Sequence, residues 1–263
     1  MALPVCTVAA WSWTASSGKV PQPAWCFPLS PAPRWETTVT DILVINPNST
    51  VAVTEGLDQA VQPMRLPGAP AIRCVTLSEG PPGIQSQRDI EAVTGPLCRL
   101  IATESAEETA SAFVIACFSD PGLFAAREVT NKPVVGIMEA GMLTAMSLGQ
   151  RVGVVAILPQ SIPRHIRAFR AMGAMDRVVG ERPLGLAVVE LGDESRTQDR
   201  LLATARTLVH QDGADVVVLG CAGMARYRPM LEADLAVPVV DPTQAAVGFA
   251  LTAMQFGLRP RRF

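Results

Sequence analysis

Two segments of the chain, about a hundred positions apart, share a similar pattern of residue types. Residues 112–117 form an apolar run that ends in Cys117, and residues 215–221 form a matching run that ends in Cys221, 104 positions later. A Pro-Val-Val motif follows each run, at residues 133–135 and 238–240, so the spacing is nearly constant. Self-similarity at a fixed period indicates a duplicated structural unit. The chain is therefore predicted to fold as two similar halves.

Short β-branched runs alternate with longer amphipathic segments from residue 41 onward, which is typical of βα units around a parallel sheet. Predicted strands cover residues 42–45, 72–77, 113–116 and 134–137, then 152–157, 178–179, 216–219 and 237–240. Predicted helices cover residues 51–62, 89–106, 122–131, 139–147, 162–172, 195–212 and 243–256. The predicted fold class is α/β, with two pseudo-symmetric parallel-sheet halves and the active site in the cleft between them.

The predicted domain boundaries follow from this pattern. Residues 41–137 together with residues 243–263 form the first half, and residues 138–242 form the second. Residues 1–40 hold all four tryptophans, are rich in proline and show no periodic element. Their apolar start lacks the positive region that begins a signal sequence, so export is not favoured. We interpret this segment as a disordered extension or as the product of a start site assigned too far upstream.

Composition and charge narrow the class of partner. The formal net charge is -2, and no run of Lys or Arg gives an electrostatic footprint for nucleic acid or an anionic membrane surface. No apolar stretch approaches the roughly 18 residues that span a bilayer. Six cysteines occur without metal-ligand spacing, which predicts no metal site, no disulfide framework and a reducing, cytoplasmic location. The expected partner is a small-molecule substrate.

Cys117 and Cys221 each follow a predicted strand, at the edge of a parallel sheet where ligands bind. If the halves face each other, the two thiols meet in one cleft from opposite sides. Racemisation beside a carbonyl removes a proton from one face and returns one to the other, and two thiols of tunable pKa suit this exchange. Ser119 or Asp120 is predicted to cap the following helix, whose N-terminus would lower the pKa of Cys117.

Polar and small residues at the ends of three predicted strands are the expected substrate contacts. These residues are Asn46, Asn48, Ser49, Phe118, Ser119, Ala222 and Gly223. Backbone amides in the loops after both cysteines are expected to stabilise a developing enolate. Gly220 and Gly223 are expected to let those amides approach a ligand closely.

Four other residues of chemical interest are predicted to be structural. Cys74 and Cys98 occur without a matched motif and are interpreted as small core residues. His165 and His210 fall on predicted helices and are interpreted as solvated or partly packed side chains rather than catalysts.

The segments INPNST at residues 45–50, ACFSDPGL at 116–123 and LGCAGM at 219–224 resemble those of hydantoin and allantoin racemases, within the aspartate/glutamate/hydantoin racemase superfamily. The resemblance extends from residue 41 to about residue 258. It implies two pseudo-symmetric halves, a two-base mechanism with no metal or cofactor, Cys117 and Cys221 as the acid/base pair, and homo-oligomers. The implied substrate is a 5-substituted hydantoin or allantoin, and the sequence does not choose between them.

Departures from the superfamily's patterns restrict the substrate. Its amino-acid racemases usually have Asn-Thr after the first cysteine and Thr-His after the second. This chain has Phe118-Ser119 and Ala222-Gly223, which argues against free aspartate or glutamate. Arylmalonate decarboxylases keep only the second cysteine, so Cys117 argues against that activity. A decarboxylase or another amino-acid-derivative racemase on the same scaffold, and a catalytically silent binding protein, stay open as alternatives.

Overall fold

The β-strands form two separate parallel sheets with the same strand order. The computed structural model describes residues 41–186, 190 and 194–260. The first sheet has the order β2-β1-β3-β4, with β1 (Ile42–Asn46), β2 (Ile72–Thr76), β3 (Ala112–Ile115) and β4 (Val134–Gly136). The second has the order β6-β5-β7-β8, with β5 (Val152–Ala156), β6 (Val178–Pro183), β7 (Val216–Leu219) and β8 (Val239–Val240). The predicted α/β fold with two parallel sheets is confirmed.

Helices connect the strands within the described part of the chain. They are α1 (Val51–Val61), α2 (Gln87–Ala106), α3 (Leu123–Val129), α4 (Ile137–Leu148), α5 (Ile162–Ala171), α6 (Glu194–His210), α7 (Arg228–Leu235) and α8 (Pro242–Gln255). Only α7 was not predicted. It has Pro229 in its first turn, where a missing amide hydrogen leaves no helical bond unmade. Over the ranges that the structure describes, no helix is both long and apolar enough to cross a membrane.

Alternate residues of each central strand face two different hydrophobic layers. In β1, Ile42 and Val44 belong to a central layer, whereas Leu43 and Ile45 belong to an outer layer of the first half. The residues of β7 divide in the same way between the central layer and an outer layer of the second half. Because side chains alternate across a strand, the central layer is shared by the two sheets.

Helix α8 follows the last strand of the second sheet but packs against α4 and against β3 and β4 of the first sheet. This packing is compatible with grouping residues 243–263 with the first half, and the domain boundaries themselves stay a prediction. The predicted extension of residues 1–40 lies outside the described residues.

The cysteines without a matched motif pack in the hydrophobic layers, as predicted. Cys74 contacts the central layer and Cys98 contacts the outer layer of the first half. Burial raises the pKa of Cys74 to about 12 and also raises the pKa of Cys98. Both thiols are free and protonated at neutral pH, which is the expected state of structural cysteines. Cys6 and Cys26 lie outside the described residues.

Candidate functional site

One pocket at the carboxyl ends of the strands contains both cysteines of the repeated motif. Cys117 follows β3 and Cys221 follows β7, the equivalent strands of the two sheets, and both side chains line this pocket, called here the thiol pocket. Each cysteine keeps part of its surface exposed. The pocket and the space at its mouth enclose about 580 Å³. The structure therefore brings together the two thiols that lie 104 positions apart in the chain.

The other predicted contacts divide into two groups. Asn48, Phe118, Ser119 and Ala222 line the thiol pocket, and Asn46, Ser49 and Gly223 do not. Phe118 is almost fully buried and packs edge-on against the rings of His165 and Phe169, at centroid distances of 5.3 Å and 6.5 Å. Its ring is therefore held in place by packing.

Asn46 organises the loop that carries Asn48. Its side-chain amide donates to Asn48 Oδ1 at 3.2 Å, to the carbonyl oxygen of Thr50 at 3.1 Å and to Thr54 Oγ1 at 3.0 Å. Its own side-chain oxygen accepts a bond from the Asn48 amide at 3.1 Å. Because Asn46 is fully buried, its bonding capacity is spent on shaping the loop.

The glycines beside Cys221 do not present free amides to a ligand, contrary to expectation. The Gly220 amide donates to the carbonyl oxygen of Val155 at 2.8 Å, and the Gly223 amide donates to Cys221 Sγ at 3.4 Å. A Cβ atom on Gly220 would lie 2.5 Å from that carbonyl oxygen, so no larger residue fits there. Gly220 thus permits the close approach of the chain to β5, and Gly223 places a donor on the thiol.

The pKa of Cys117 is raised to about 12, chiefly by burial and also by the nearby Cys221 and Asp120, while the Ser119 amide and Arg164 oppose the shift. Burial also raises the pKa of Cys221 to about 11, against the Gly223 amide. The expected lowering at Cys117 is wrong because desolvation of the thiolate outweighs the nearby amides. Both cysteines of the pocket are therefore thiols at neutral pH.

The segment after Cys117 also differs from its predicted cap. Helix α3 begins at Leu123 after Gly122, which has a positive φ of 65°, and neither Ser119 nor Asp120 caps it. The Asp120 carboxylate instead accepts bonds of 2.9 Å from each of the Met138 and Glu139 amides, at the N-terminus of α4. Burial raises the pKa of Asp120 to about 7, and the two amide donors oppose this shift. Asp120 therefore ties the loop that carries Cys117 to the helix that connects the two sheets.

A buried chain of hydrogen bonds reaches the pocket from α5 and β6. His165 Nδ1 lies 2.5 Å from Glu181 Oε1, and His165 Nε2 lies 3.3 Å from Ser119 Oγ. Only 3% of the His165 side chain and 4% of the Glu181 side chain are exposed. The prediction that both histidines are solvated or partly packed agrees with the exposed His210 and is wrong for His165, which is almost fully buried.

Arg164 brings a positive charge to the wall of the thiol pocket. Its Nη1 donates to the carbonyl oxygens of Gln85 at 3.1 Å and Gln160 at 2.9 Å. Its Nε is buried and has no hydrogen-bond partner. Burial lowers the pKa of Arg164, whereas the Cys117 thiolate raises it, so the guanidinium lies close enough to Cys117 to be attracted by its ionised form. It is the cation that would favour a thiolate at this position.

Three further residues line the thiol pocket and were not predicted as site residues: Ser161, Arg164 and His165. Their segment follows β5 as the loop after Asn46 follows β1, so the internal repeat contained the signal that identifies this loop. The segment after β5 has different residue types from the Asn-rich loop after β1, so the two were not recognised as equivalent. Among the described residues, no group of three or more His, Cys, Asp or Glu side chains is arranged to hold a metal ion.

Comparisons with known proteins agree with this geometry. Residues 42–250 match the family model described as Asp/Glu/hydantoin racemase. A hydantoin racemase of Pseudomonas sp. (strain NS671) is 38% identical over 82% of this chain and 86% of its own length. The hydantoin racemase of Paenarthrobacter aurescens is 36% identical over 82% of this chain and 92% of its own. The structure of allantoin racemase from Klebsiella pneumoniae superimposes with a TM-score of 0.81 at 31% identity, covering 84% of this chain and 90% of that one.

Proposed function

The chain belongs to the Asp/Glu/hydantoin racemase family, and on this premise we propose that it racemises a hydantoin-type ring, with Cys117 and Cys221 as the two bases. Its curated relatives named hydantoin racemase are isomerases, so the predicted class of enzyme is confirmed. The observation that carries the proposal is the placement of both thiols on one pocket, at the ends of equivalent strands. The substrate class is a 5-substituted hydantoin, which includes allantoin.

The two thiols supply a complete proton exchange. The thiolate of one cysteine takes the proton from the ring stereocentre, and the electron pair of the broken C–H bond moves onto the adjacent carbonyl oxygen as an enolate. The thiol of the other cysteine then donates its proton to the opposite face of the carbon, and the carbonyl forms again. Protons and charge balance because the pair ends with thiolate and thiol exchanged.

Groups around the thiols have matching roles in this proposal. Arg164 stabilises negative charge at Cys117. The amides of Phe118 and Ala222, next to the two cysteines, are proposed donors to the enolate oxygen. Asn48 and Ser119 line the pocket. The Asn48 side-chain oxygen already accepts bonds from Asn46 and Thr50, so its NH₂ group is the part that can donate to a ring carbonyl, and the Ser119 hydroxyl can accept a bond from a ring N–H.

The test of the proposed function is polarimetry with enantiopure allantoin and enantiopure 5-benzylhydantoin in deuterated buffer. We expect loss of optical rotation in at least one of the two, with deuterium entering the stereocentre of the product. Spontaneous racemisation measured without enzyme is subtracted at the same pH. Unchanged rotation of both compounds with folded protein would refute the racemase proposal and favour a binding protein.

The raised pKa values of the thiols predict an unusual pH profile. Since kcat/KM reports the ionisation of the free enzyme, it depends on the small fraction that carries one thiolate. With pKa values of about 12 for Cys117 and about 11 for Cys221, that fraction grows as pH rises. We expect kcat/KM to increase about tenfold per pH unit from about pH 6 to about pH 8, below the range in which the hydantoin ring itself ionises. A plateau that begins near neutral pH would contradict protonated resting thiols.

Two finer parts of the proposal have direct tests of their own. The thiol pair supplies both proton-transfer groups, so we propose that no cofactor is needed and that activity survives dialysis against a chelator. We also propose a homo-oligomer, which sedimentation of the purified protein tests.

The alternative of decarboxylation requires release of carbon dioxide from an arylmalonate, and the presence of a thiol at both Cys117 and Cys221 favours racemisation over it.

A further inference from the structure

A second cleft lies directly against the thiol pocket. Ser119, Arg164 and His165 line both, and Gln87 and Arg167 are among the residues that complete the second, called here the side cleft. Because three residues are shared, the same residues border both spaces. A substituent on a ring held between the thiols can enter the side cleft only by passing Arg164 or its two neighbours.

The side cleft is positively charged. Arg164 and Arg167 lie one helical turn apart on α5, and no Asp or Glu among the described residues lines either space. None of the ion pairs formed within the described ranges includes either arginine. Arg167 donates to the carbonyl oxygen of Pro163 at 3.3 Å and to Gln87 Oε1 at 3.0 Å, which are neutral acceptors.

The nearest carboxylates are already engaged. Asp89 accepts bonds from the Gln85 amide at 3.0 Å and the Ser86 amide at 2.8 Å, where it completes the cap of α2. Glu181 is paired with His165. Arg164 thus carries a partly desolvated charge, with a buried Nε that has no partner, a second arginine beside it and only longer-range attraction from Asp89 and Glu181. A partly buried cation that forms no ion pair favours an anion from outside the chain.

We propose that the side cleft is a subsite for an anionic substituent of the substrate, with Arg164 as the residue that recognises it. The ligand class is a hydantoin whose 5-substituent ends in a carboxylate. A guanidinium binds a carboxylate through paired, charge-assisted hydrogen bonds, which it cannot form with a neutral amide of the same shape. This inference rests on the proposed function, since it assigns the substrate class of the same site.

The test compares two substrates of nearly identical shape, 5-(2-carboxyethyl)hydantoin and its amide, 5-(2-carbamoylethyl)hydantoin. We expect the wild-type protein to racemise the carboxylate with a kcat/KM about tenfold or more above that of the amide. In Arg164→Gln the ratio of the two values falls to near one, and Arg164→Lys retains part of the preference. The ratio of the two kcat/KM values is the readout because Arg164 also faces Cys117. Removing Arg164 therefore lowers the rate of racemisation of both substrates, and only the ratio reports recognition of the carboxylate.

Arg170→Gln is the matched control, since it removes the same charge from the same helix at an exposed residue outside both spaces. It is expected to leave the ratio unchanged. Equal rates for the two substrates in the wild type, or a preference that persists in Arg164→Gln, would overturn the subsite. The wild-type comparison decides the matter even if a variant fails to fold. Racemisation of 5-benzylhydantoin without any carboxylate preference refutes the subsite alone, whereas no racemisation of any hydantoin refutes the proposed function as well.

Discussion

Replacing either Cys117 or Cys221 by serine is expected to reduce the rate of racemisation by about a thousandfold. A serine hydroxyl has nearly the size of the thiol, but its far higher pKa makes it a poor base and a poor acid near neutral pH, and a positioned proton-transfer group contributes 10²- to 10⁴-fold. The pocket contains both thiols, so neither replaces the other. Polarimetry of an enantiopure hydantoin measures the loss.

Exchange of the α-proton distinguishes two bases from one. In Cys117→Ser the remaining thiol of Cys221 removes and returns protons on its own face of the ring only. That variant is expected to exchange the α-proton of one enantiomer for deuterium without inverting it, and Cys221→Ser is expected to exchange the other enantiomer. Proton NMR of each enantiomer in deuterated buffer shows this pattern directly. If one variant exchanged both enantiomers, a single base would suffice and the two-thiol mechanism would fail.

Cys98→Ser is the matched control for these variants. Cys98 is a partly buried thiol on α2 that packs against the outer layer of the first half and lies outside the pocket. The Cys98→Ser variant is expected to racemise the hydantoin at the wild-type rate. Loss of activity in Cys98→Ser equal to that in Cys117→Ser would mean that any cysteine substitution disturbs the fold, and the argument from the two pocket thiols would lose its support.

The two-sheet fold could be predicted from local sequence patterns because the same apolar runs occur in both halves of the chain. Apolar runs with matched spacing predicted the strands. Side chains of β1 and β7 alternate between two buried layers, which explains why these runs are continuously apolar. Edge strand β6 was predicted as only two residues because its later part, Gly180-Glu181-Arg182, lacks an apolar run. Pairing with β5, rather than local composition, extends it to Pro183.

The thiol pair was predictable, whereas its surroundings were not. Cys117 and Cys221 stand at matched positions of the repeat, so sequence spacing alone brings them together. The His165–Glu181 pair joins a helix to an edge strand 16 residues later, and nothing in the local sequence of either residue signals the other. The direction of the Cys117 pKa shift was missed for a similar reason, since burial is a property of the assembled pocket.

The buried pair of His165 and Glu181 gives the largest expected effect on stability. Glu181 Oε2 already has no hydrogen-bond partner, so His165 Nδ1 is the group that compensates this buried carboxylate. In His165→Leu the carboxylate keeps its burial and loses that partner. Leaving a buried charged group without its hydrogen-bond partner typically costs about 1–3 kcal/mol or more, so we expect the free energy of unfolding in urea to fall by about 3 kcal/mol.

Two further variants separate the lost partner from the lost packing. His210→Leu changes the other histidine of the chain, which is exposed at the end of α6, and is expected to alter the free energy of unfolding by no more than about 0.5 kcal/mol. The double variant His165→Leu/Glu181→Leu removes the buried charge together with its partner and is expected to be more stable than His165→Leu alone. If the double variant were instead less stable, packing of the imidazole against Phe118 and Phe169 would account for the loss, and the role of His165 as partner of Glu181 would be refuted.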